Sequence, residues 1–160
     1  MTELEVRRLA PADWAQLRTA RLAALADAPY AFASTVAREQ QFTEQDWRER
    51  ADRGRTFAAW DGEAIVGLAT GVDHDGDWHL VGMWVSPKLR GTRAADRLVA
   101  AVCDLAKHSG ATSVTLWVTE VNGRARAFYR RLGFVPTGGR QLVRPEEPSH
   151  WEEELTLRLC

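Results

Sequence analysis

The stretch Met83–Val102, MWVSPKLRGTRAADRLVAAV, changes its hydrophobic pattern in the middle. Before Ser86 and Pro87 the residues are apolar without a break, which is typical of a buried strand. After Gly91 the apolar residues recur every three or four positions, which predicts a helix with one apolar face. The residues of that face are Ala94, Ala95, Leu98, Val99, Ala101, Val102 and Leu105. The stretch therefore predicts a strand that leads through a short loop into a helix.

The start of this predicted helix combines two features that attract anions. The first turn of a helix has unpaired N–H groups and a partial positive charge. Four basic residues surround it, Lys88, Arg90, Arg93 and Arg97. The combination indicates a phosphate-binding site. A loop with solvated basic side chains is the alternative interpretation.

The segment 90–95, RGTRAA, follows Val85-Ser86-Pro87. Together these residues resemble the acetyl-CoA-binding signature of the GCN5-related N-acetyltransferase (GNAT) family, Q/R-x-x-G-x-G/A. Arg93 stands where the signature has its middle glycine, which in the family lets the backbone approach the cofactor's pyrophosphate. Because the position is predicted to be helical, an arginine backbone can be accommodated. Its side chain must then point away from the phosphate or contact it.

The segment 122–134, NGRARAFYRRLGF, resembles a later motif of the same family, N-x-x-A-x-x-x-Y-x-x-x-G-F, at every defining position. The two motifs stand in the family's order with a predicted strand between them. Such a pair is more specific than either motif alone. The resemblance is anchored over Trp78 to Phe134, and it implies acetyl-CoA as co-substrate.

Composition and charge limit the class of protein. The 160 residues are 45% hydrophobic, which predicts one domain, residues 1–160, with one core. The N-terminus alternates charged and apolar residues, and no apolar run could span a bilayer, so we expect a cytoplasmic protein without membrane association. The two cysteines, Cys103 and Cys160, predict neither a disulfide framework nor a metal site. The net charge of −1 argues against a nucleic-acid partner.

Turn and cap signals divide the rest of the chain. Asp61-Gly62 between two apolar runs predicts a hairpin, and Thr43 followed by Asp46 predicts the start of a helix. The patterns predict the element order β-α-α-β-β-β-α-β-α-β-β, an α/β fold with a mixed sheet. This is the order of the GNAT-like acyl-CoA N-acyltransferase fold. The resemblance implies that strands four and five splay apart, as they do in that family.

The resemblance also implies which residues bind acetyl-CoA. The strand that ends at Met83, Trp84 and Val85 would pair with the pantetheine arm, and an N–H near Met83 or Trp84 would donate to the developing oxyanion. Gly82 would ease a bulge or a close approach there. The other cofactor-binding candidates are Arg90, Gly91, Thr92, Arg93, Ala94, Ala95, Asn122, Ala125 and Phe128.

Tyr129 and His79 are the candidate catalytic residues. Tyr129 aligns with the family's tyrosine that protonates or hydrogen-bonds the CoA sulfur, and a phenol with an ordinary pKa of about 10 stays protonated at neutral pH. His79 lies six residues before the valine of the V-x-P signature, where many members have a glutamate base. A histidine can accept the amine's proton directly or through water. Glu120 and water alone are the alternative bases, and a core tyrosine and a solvent-facing strand histidine are the alternative interpretations.

The acceptor is expected to bind between residues 30–47 and the loop before Trp151. The acids of these segments would favour a cationic acceptor, although ordinary surface acids explain them equally well. They are Glu39, Glu44, Asp46 and Glu152, Glu153 and Glu154.

The sequence thus predicts an acetyl-CoA-dependent N-acetyltransferase that acts on a primary amine, in the first place of a small molecule. Direct transfer in a ternary complex is the expected mechanism. A non-catalytic acyl-CoA-binding domain and a protein or peptide N-acetyltransferase are the alternatives. A homodimer is possible, since dimers are common in the family.

Overall fold

The computed structural model of the chain describes residues 4–53 and 55–160. The strands are β1 Glu5–Arg8, β2 Thr56–Asp61, β3 Ala64–His74, β4 Asp77–Val85, β5 Ser113–Thr119, β6 Val135–Leu142 and β7 Trp151–Arg158. The helices are α1 Trp14–Asp27, α2 Val36–Glu39, α3 Glu44–Asp52, α4 Ala94–His108 and α5 Gly123–Arg131. The predicted element order is confirmed, with α2 as an addition. Its four residues are too few to show a helical period, and the Thr35 side chain caps it by accepting from the Arg38 N–H.

All seven strands belong to one mixed sheet in the order β1-β2-β3-β4-β5-β7-β6. Neighbouring strands are antiparallel except for β4 and β5, which are parallel. This parallel pairing covers only Trp78 with Val114 and His79 with Thr115, after which the two strands diverge. The splay implied by the resemblance is therefore confirmed. It leaves the second half of β4 without a strand partner on its β5 side.

The β4 strand has a bulge in its second half, where it pairs with β3 but not with β5. Leu68 pairs with Trp84 and Thr70 pairs with Val81, so Gly82 and Met83 together face one residue of β3. Gly82 has a φ of +62°, which side-chain-bearing residues rarely adopt. The bulge predicted for this glycine is confirmed, and it turns the strand's side chains and amides at the point where the sheet opens.

Two clusters of buried apolar side chains lie on opposite faces of the sheet. The apolar face of α4, with Leu98 and Val102 fully buried, packs on one face together with Tyr129 and Phe134. α1 and α3 pack on the other face around Trp47, which is also fully buried. The predicted stripe of α4 is therefore its core face.

Two tight turns join β2 to β3 and β3 to β4. Gly62 in the β2–β3 turn has a φ of +62°, and Asp75 and Gly76 in the β3–β4 turn have φ of 54° and 92°. The β2–β3 turn lies where Asp61-Gly62 predicts it. Within the described ranges, no helix is long and apolar enough to cross a membrane, and no three His, Cys, Asp or Glu side chains are grouped to hold a metal ion.

Candidate active site

The loop between β4 and α4 presents unpaired backbone amides. Gly91 has a φ of +84°, which turns the chain into the helix. The N–H groups of Gly91, Arg93, Ala95 and Asp96 have no hydrogen-bond acceptor among the described residues. The Thr92 hydroxyl accepts from the Ala94 N–H at 3.3 Å and fixes the first turn. Unpaired amides at the positive end of a helix dipole are groups that can bind an anion.

Arg93 occupies the position of the signature's middle glycine without backbone strain. Its φ of −80° and ψ of 0° lie in a region that any residue can adopt. Its side chain is exposed. A glycine is therefore not needed here for conformational reasons, and the guanidinium is free to extend beside the amides.

Arg90, the first residue of the signature, is held toward α1. Its guanidinium donates to the Asp27 carboxylate, which also accepts from Trp84 Nε1 at 3.0 Å. Asp27 thus ties the loop and the end of β4 to the last turn of α1. Arg90 orders the loop in this arrangement, and its charge is already matched by a carboxylate.

The second motif lies on α5. Asn122 caps the helix by accepting from the Ala125 N–H at 3.2 Å. Tyr129 is buried against the rings of Phe128 and Phe134, at centroid distances of 5.2 and 5.6 Å. Burial raises the pKa of the Tyr129 phenol well above its usual value. The phenol is therefore protonated at any physiological pH. Arg131 binds Asp96 at 3.0 Å and links α5 to the first turn of α4.

A cavity of about 720 Å³ lies on the face of the sheet covered by α1 and α3. β4 contributes His79, Leu80, Val81 and Gly82 to its wall, and Trp117 contributes from β5 across the splay. Five arginines from α1, α2, α3 and the approach to β2 also line it: Arg21, Arg38, Arg50, Arg53 and Arg55. The sole acidic residue among the described lining residues is Glu152. The cavity is therefore strongly cationic.

Glu39 lies behind this cavity and is 1% exposed. It accepts from Arg21 Nε at 3.0 Å and from Arg50 Nη1 at 2.9 Å. Burial raises the pKa of the Glu39 carboxyl, but the hydrogen bonds from these two arginines and the charge of Arg21 outweigh it and hold the pKa at about 2. One buried carboxylate thus fixes two guanidinium groups of the cavity wall.

The other acids that were expected to favour a cationic acceptor are mostly engaged elsewhere. Their partners are Arg48 for Glu44, the Thr43 amide for Asp46, Arg126 for Glu153 and Thr137 for Glu154. Glu152 alone of this set lines the cavity, and burial raises its pKa. The expectation of a site rich in acids is therefore wrong for this cavity, because five arginines enter it from segments that were not predicted to meet.

The two candidate bases differ in position. His79 lines the cavity, with its Nε2 3.1 Å from the exposed Asp77 carboxylate. Glu120 binds Arg140 through both carboxylate oxygens, at 2.7 and 3.0 Å, and this hydrogen bonding lowers its pKa. Glu120 does not contribute to the cavity wall. The geometry favours His79 over Glu120.

The two segments that were expected to form the acceptor site contact each other. Arg144, in the β6–β7 loop, donates to the carbonyl oxygens of Phe32 at 2.7 Å and Ala33 at 3.0 Å. Phe32 and Ala33 line the cavity. Arg144 therefore holds one cavity wall in place from outside.

The model of the acetyltransferase (GNAT) family matches residues 19–134, which is more than half of the chain. The chain belongs to this family. The matched region contains both motifs, the splayed strands and most of the cavity.

Solved structures of proteins described as acetyltransferases share the fold over nearly the whole chain. An N-acetyltransferase from Staphylococcus aureus Mu50 has a TM-score of 0.80 at 14% identity, over 99% of this chain and 100% of that one. An acetyltransferase of the GNAT family from Streptococcus pneumoniae has a TM-score of 0.79 at 19% identity, over 99% and 100%. yncA from Salmonella typhimurium, whose structure contains its cofactor acetyl-CoA, has a TM-score of 0.79 at 17% identity, over 99% and 95%. No curated protein sequence matches the chain.

The arginines of the cavity were not identified from the sequence of this GNAT protein. Between residues 21 and 55 they alternate with acids, and such a pattern is more typical of solvated helix faces. The one available signal was the excess of arginines at residues 48–55, RERADRGR, immediately before a strand. That they face one cavity depends on how α1, α2 and α3 pack over the sheet.

Proposed function

We propose that this chain transfers the acetyl group of acetyl-CoA to a primary amine of a small molecule, directly and within a ternary complex. The observation that supports this most is that two binding regions adjoin along β4. The cavity is lined as far as Gly82, and the predicted cofactor residues begin at Met83. A donor and an acceptor bound in these regions would meet at the bulge.

The β4–α4 region suits a CoA molecule in both charge and shape. The unpaired amides at residues 91–96 can donate to a diphosphate, with Arg93 beside them. Beyond His79 the open side of β4 can pair with an extended amide-containing arm. Acetyl-CoA supplies an activated acetyl thioester, so the protein needs only to orient the reactants and to move protons.

Tyr129 is proposed to protonate or hydrogen-bond the leaving thiolate. Its phenol stays protonated because it is buried in the α5 cluster. A backbone N–H at the Gly82–Met83 bulge is proposed to stabilise the negative charge that develops on the carbonyl oxygen.

His79 is proposed to take a proton from the acceptor's ammonium group and so give the neutral amine that attacks, since His79 lies in the cavity wall on β4. Replacement of His79 by Gln should lower kcat by about 100-fold, in the range typical of a lost general base. His74 is the matched control, because its ring lies 5.5 Å from that of His79 but outside the cavity lining. Equal kcat values for His79→Gln and His74→Gln would indicate that water, and not His79, accepts the proton.

The positions of the two cysteines, and the raised pKa of the Cys103 thiol, support direct transfer without an acetyl-cysteine intermediate. Cys103 is on α4, and burial raises the pKa of its thiol to about 11. Cys160 is exposed at the last position. Neither lines the cavity, so neither is placed to carry the acetyl group as a thioester.

The test is the release of CoA thiol from acetyl-CoA with and without a panel of small primary amines and short peptides. We expect release that depends on a small amine, with an N-acetylated product by mass spectrometry. Transfer to peptides alone would make the chain a peptide acetyltransferase. Binding of acetyl-CoA without release for any acceptor would make it a non-catalytic acyl-CoA-binding domain.

A further inference from the structure

We infer that the acceptor carries an anionic group, a carboxylate or a phosphate, in addition to its amine, and that the arginines of the cavity bind this group. The inference rests on the proposed acetyl transfer and names the chemical class of its acceptor.

The cavity holds more positive charge than its own acids can neutralise. Glu39 is the ion-pair partner of both Arg21 and Arg50. Arg38, Arg53 and Arg55 also line the cavity, and none of them forms an ion pair with a carboxylate of residues 4–53 or 55–160. Guanidinium groups gathered in one cavity repel each other. A bound oxyanion relieves this repulsion and can be gripped by paired N–H donors.

Arg53 and Arg55 lie at a different part of the cavity from the proposed reaction centre, whereas Arg21 Nη1 lies 3.8 Å from the position that a Cβ on Gly82 would take. Arg53 and Arg55 precede β2, and β4 with His79 and Gly82 is two strands further along the sheet. Glu152 lies on β7, beyond the splay. An acceptor can therefore place its anion on the β2 side and its ammonium group near β4, where His79 and Glu152 face it.

The arginine cavity is separate from the proposed cofactor surface. None of the residues 83–97 or 122–134 lines it. The amides at residues 91–96 belong to the loop that follows β4 and to the first turn of α4. The diphosphate of CoA therefore has its own site, and the cavity's arginines are available to the acceptor.

The step itself conserves atoms and charge. The neutral amine nitrogen attacks the thioester carbon, a C–N bond forms and the C–S bond breaks. The ammonium group first gives one proton to the base and so becomes the neutral amine. After the attack the nitrogen loses a second proton, and the leaving thiolate takes one, so that one proton is released overall. The products are the N-acetyl compound, which keeps its anionic group, and free CoA.

The test uses pairs of primary amines that differ only in the anionic group. Suitable pairs are O-phosphoethanolamine with ethanolamine, and several amino acids with the amines formed by their decarboxylation. Binding to the full chain is measured by calorimetry in the presence of CoA, and transfer is measured by thiol release. For at least one pair we expect the anionic member to bind about tenfold more tightly or better, because a charge-assisted hydrogen bond contributes that much. The amino-acid pairs test a carboxylate and the phosphoethanolamine pair tests a phosphate, so the results show which of the two anionic groups the cavity prefers.

The double variant Arg38→Gln/Arg53→Gln removes two charges from the exposed part of the cavity. We expect it to reduce the preference for the anionic member about tenfold. Lys107→Gln/Arg158→Gln is the control, since it removes two exposed charges that do not line the cavity. It should keep the preference.

The outcomes separate this inference from the proposed function. Transfer to amines with no preference for the anionic member of any pair would overturn the inference and leave acetyl transfer standing. A preference in binding without thiol release would support the inference and count against the acetyl transfer. A preference that both double variants reduce equally would reflect the overall charge of the protein and would overturn the inference.

Discussion

The proposed cofactor surface and the proposed acceptor cavity of this protein are both positive, but they are built in different ways. The cofactor surface combines residues 83–97 with residues of α5, and its positive end consists mainly of backbone amides in the loop before α4 and in the first turn of α4. The acceptor cavity takes its arginines from three helices and the start of a strand, and its charge is on side chains. Backbone amides require a fixed loop conformation, whereas side chains can change without changing the fold. We therefore expect the fold to constrain the proposed donor site, and the side chains of the cavity to determine the acceptor specificity.

Glu39→Gln tests the acceptor side with the largest expected effect. Loss of the buried carboxylate leaves Arg21 and Arg50 without their partner, and we expect a loss of about 3 kcal/mol in the free energy of unfolding. Urea denaturation measures it. Glu44→Gln, which breaks the exposed pair with Arg48, should change stability by less than about 0.5 kcal/mol.

Glu39 should also make the stability of the protein depend on pH. The pKa of Glu39 is about 2 in the folded protein and 4.5 ordinarily, so its contribution is present above pH 4.5 and is lost as the pH falls toward 2. The wild-type protein should lose stability more steeply than Glu39→Gln across this window. Equal slopes would show that the carboxylate is not ion-paired in solution.

Tyr129→Phe tests the cofactor side. If the phenol assists the leaving thiolate, kcat should fall by about 100-fold. The Kd for acetyl-CoA should change by less than about tenfold, the usual range for one neutral hydrogen bond. Thiol-release assays measure kcat, and calorimetry measures the Kd for acetyl-CoA. Unchanged kcat would remove Tyr129 from the mechanism and leave it as a core residue beside Phe134.

Gly82→Ala tests the point where the two sites adjoin. An alanine at a φ of +62° costs about 1 kcal/mol in stability, and we expect the shifted bulge to lower kcat/KM about tenfold as well. Gly62→Ala has the same φ of +62° but lies in the β2–β3 turn. It should show the stability loss without the loss of activity. Equal kcat/KM for the two variants would separate the bulge from catalysis.

Arg93→Gly has the smallest expected effect. Since the arginine backbone is unstrained and its side chain is exposed, the Kd for acetyl-CoA should change by less than about fivefold. Calorimetry at low salt measures it. A larger loss of affinity would show that the guanidinium grips the phosphate and takes over the role of the glycine.

The comparison also explains what could be predicted from the sequence. The strand, loop and helix around Gly91, and the cap at Asn122, depend on local patterns that a sequence displays directly. The element order follows from the same patterns. The cavity of Arg21, Arg50 and Glu39 depends on contacts between residues up to 29 positions apart in three helices, and local patterns do not show which side chains share a cavity. The family resemblance identified the proposed donor site, whereas the proposed acceptor cavity became visible only from the packing of the helices over the sheet.

The most direct test of this division is a crystal structure of the chain with acetyl-CoA. The account predicts the diphosphate at the amides of Gly91, Arg93 and Ala95, the thioester at the Gly82–Met83 bulge, and the arginine cavity open beside it. A diphosphate bound among Arg38, Arg53 and Arg55 would contradict the assignment of the two sites.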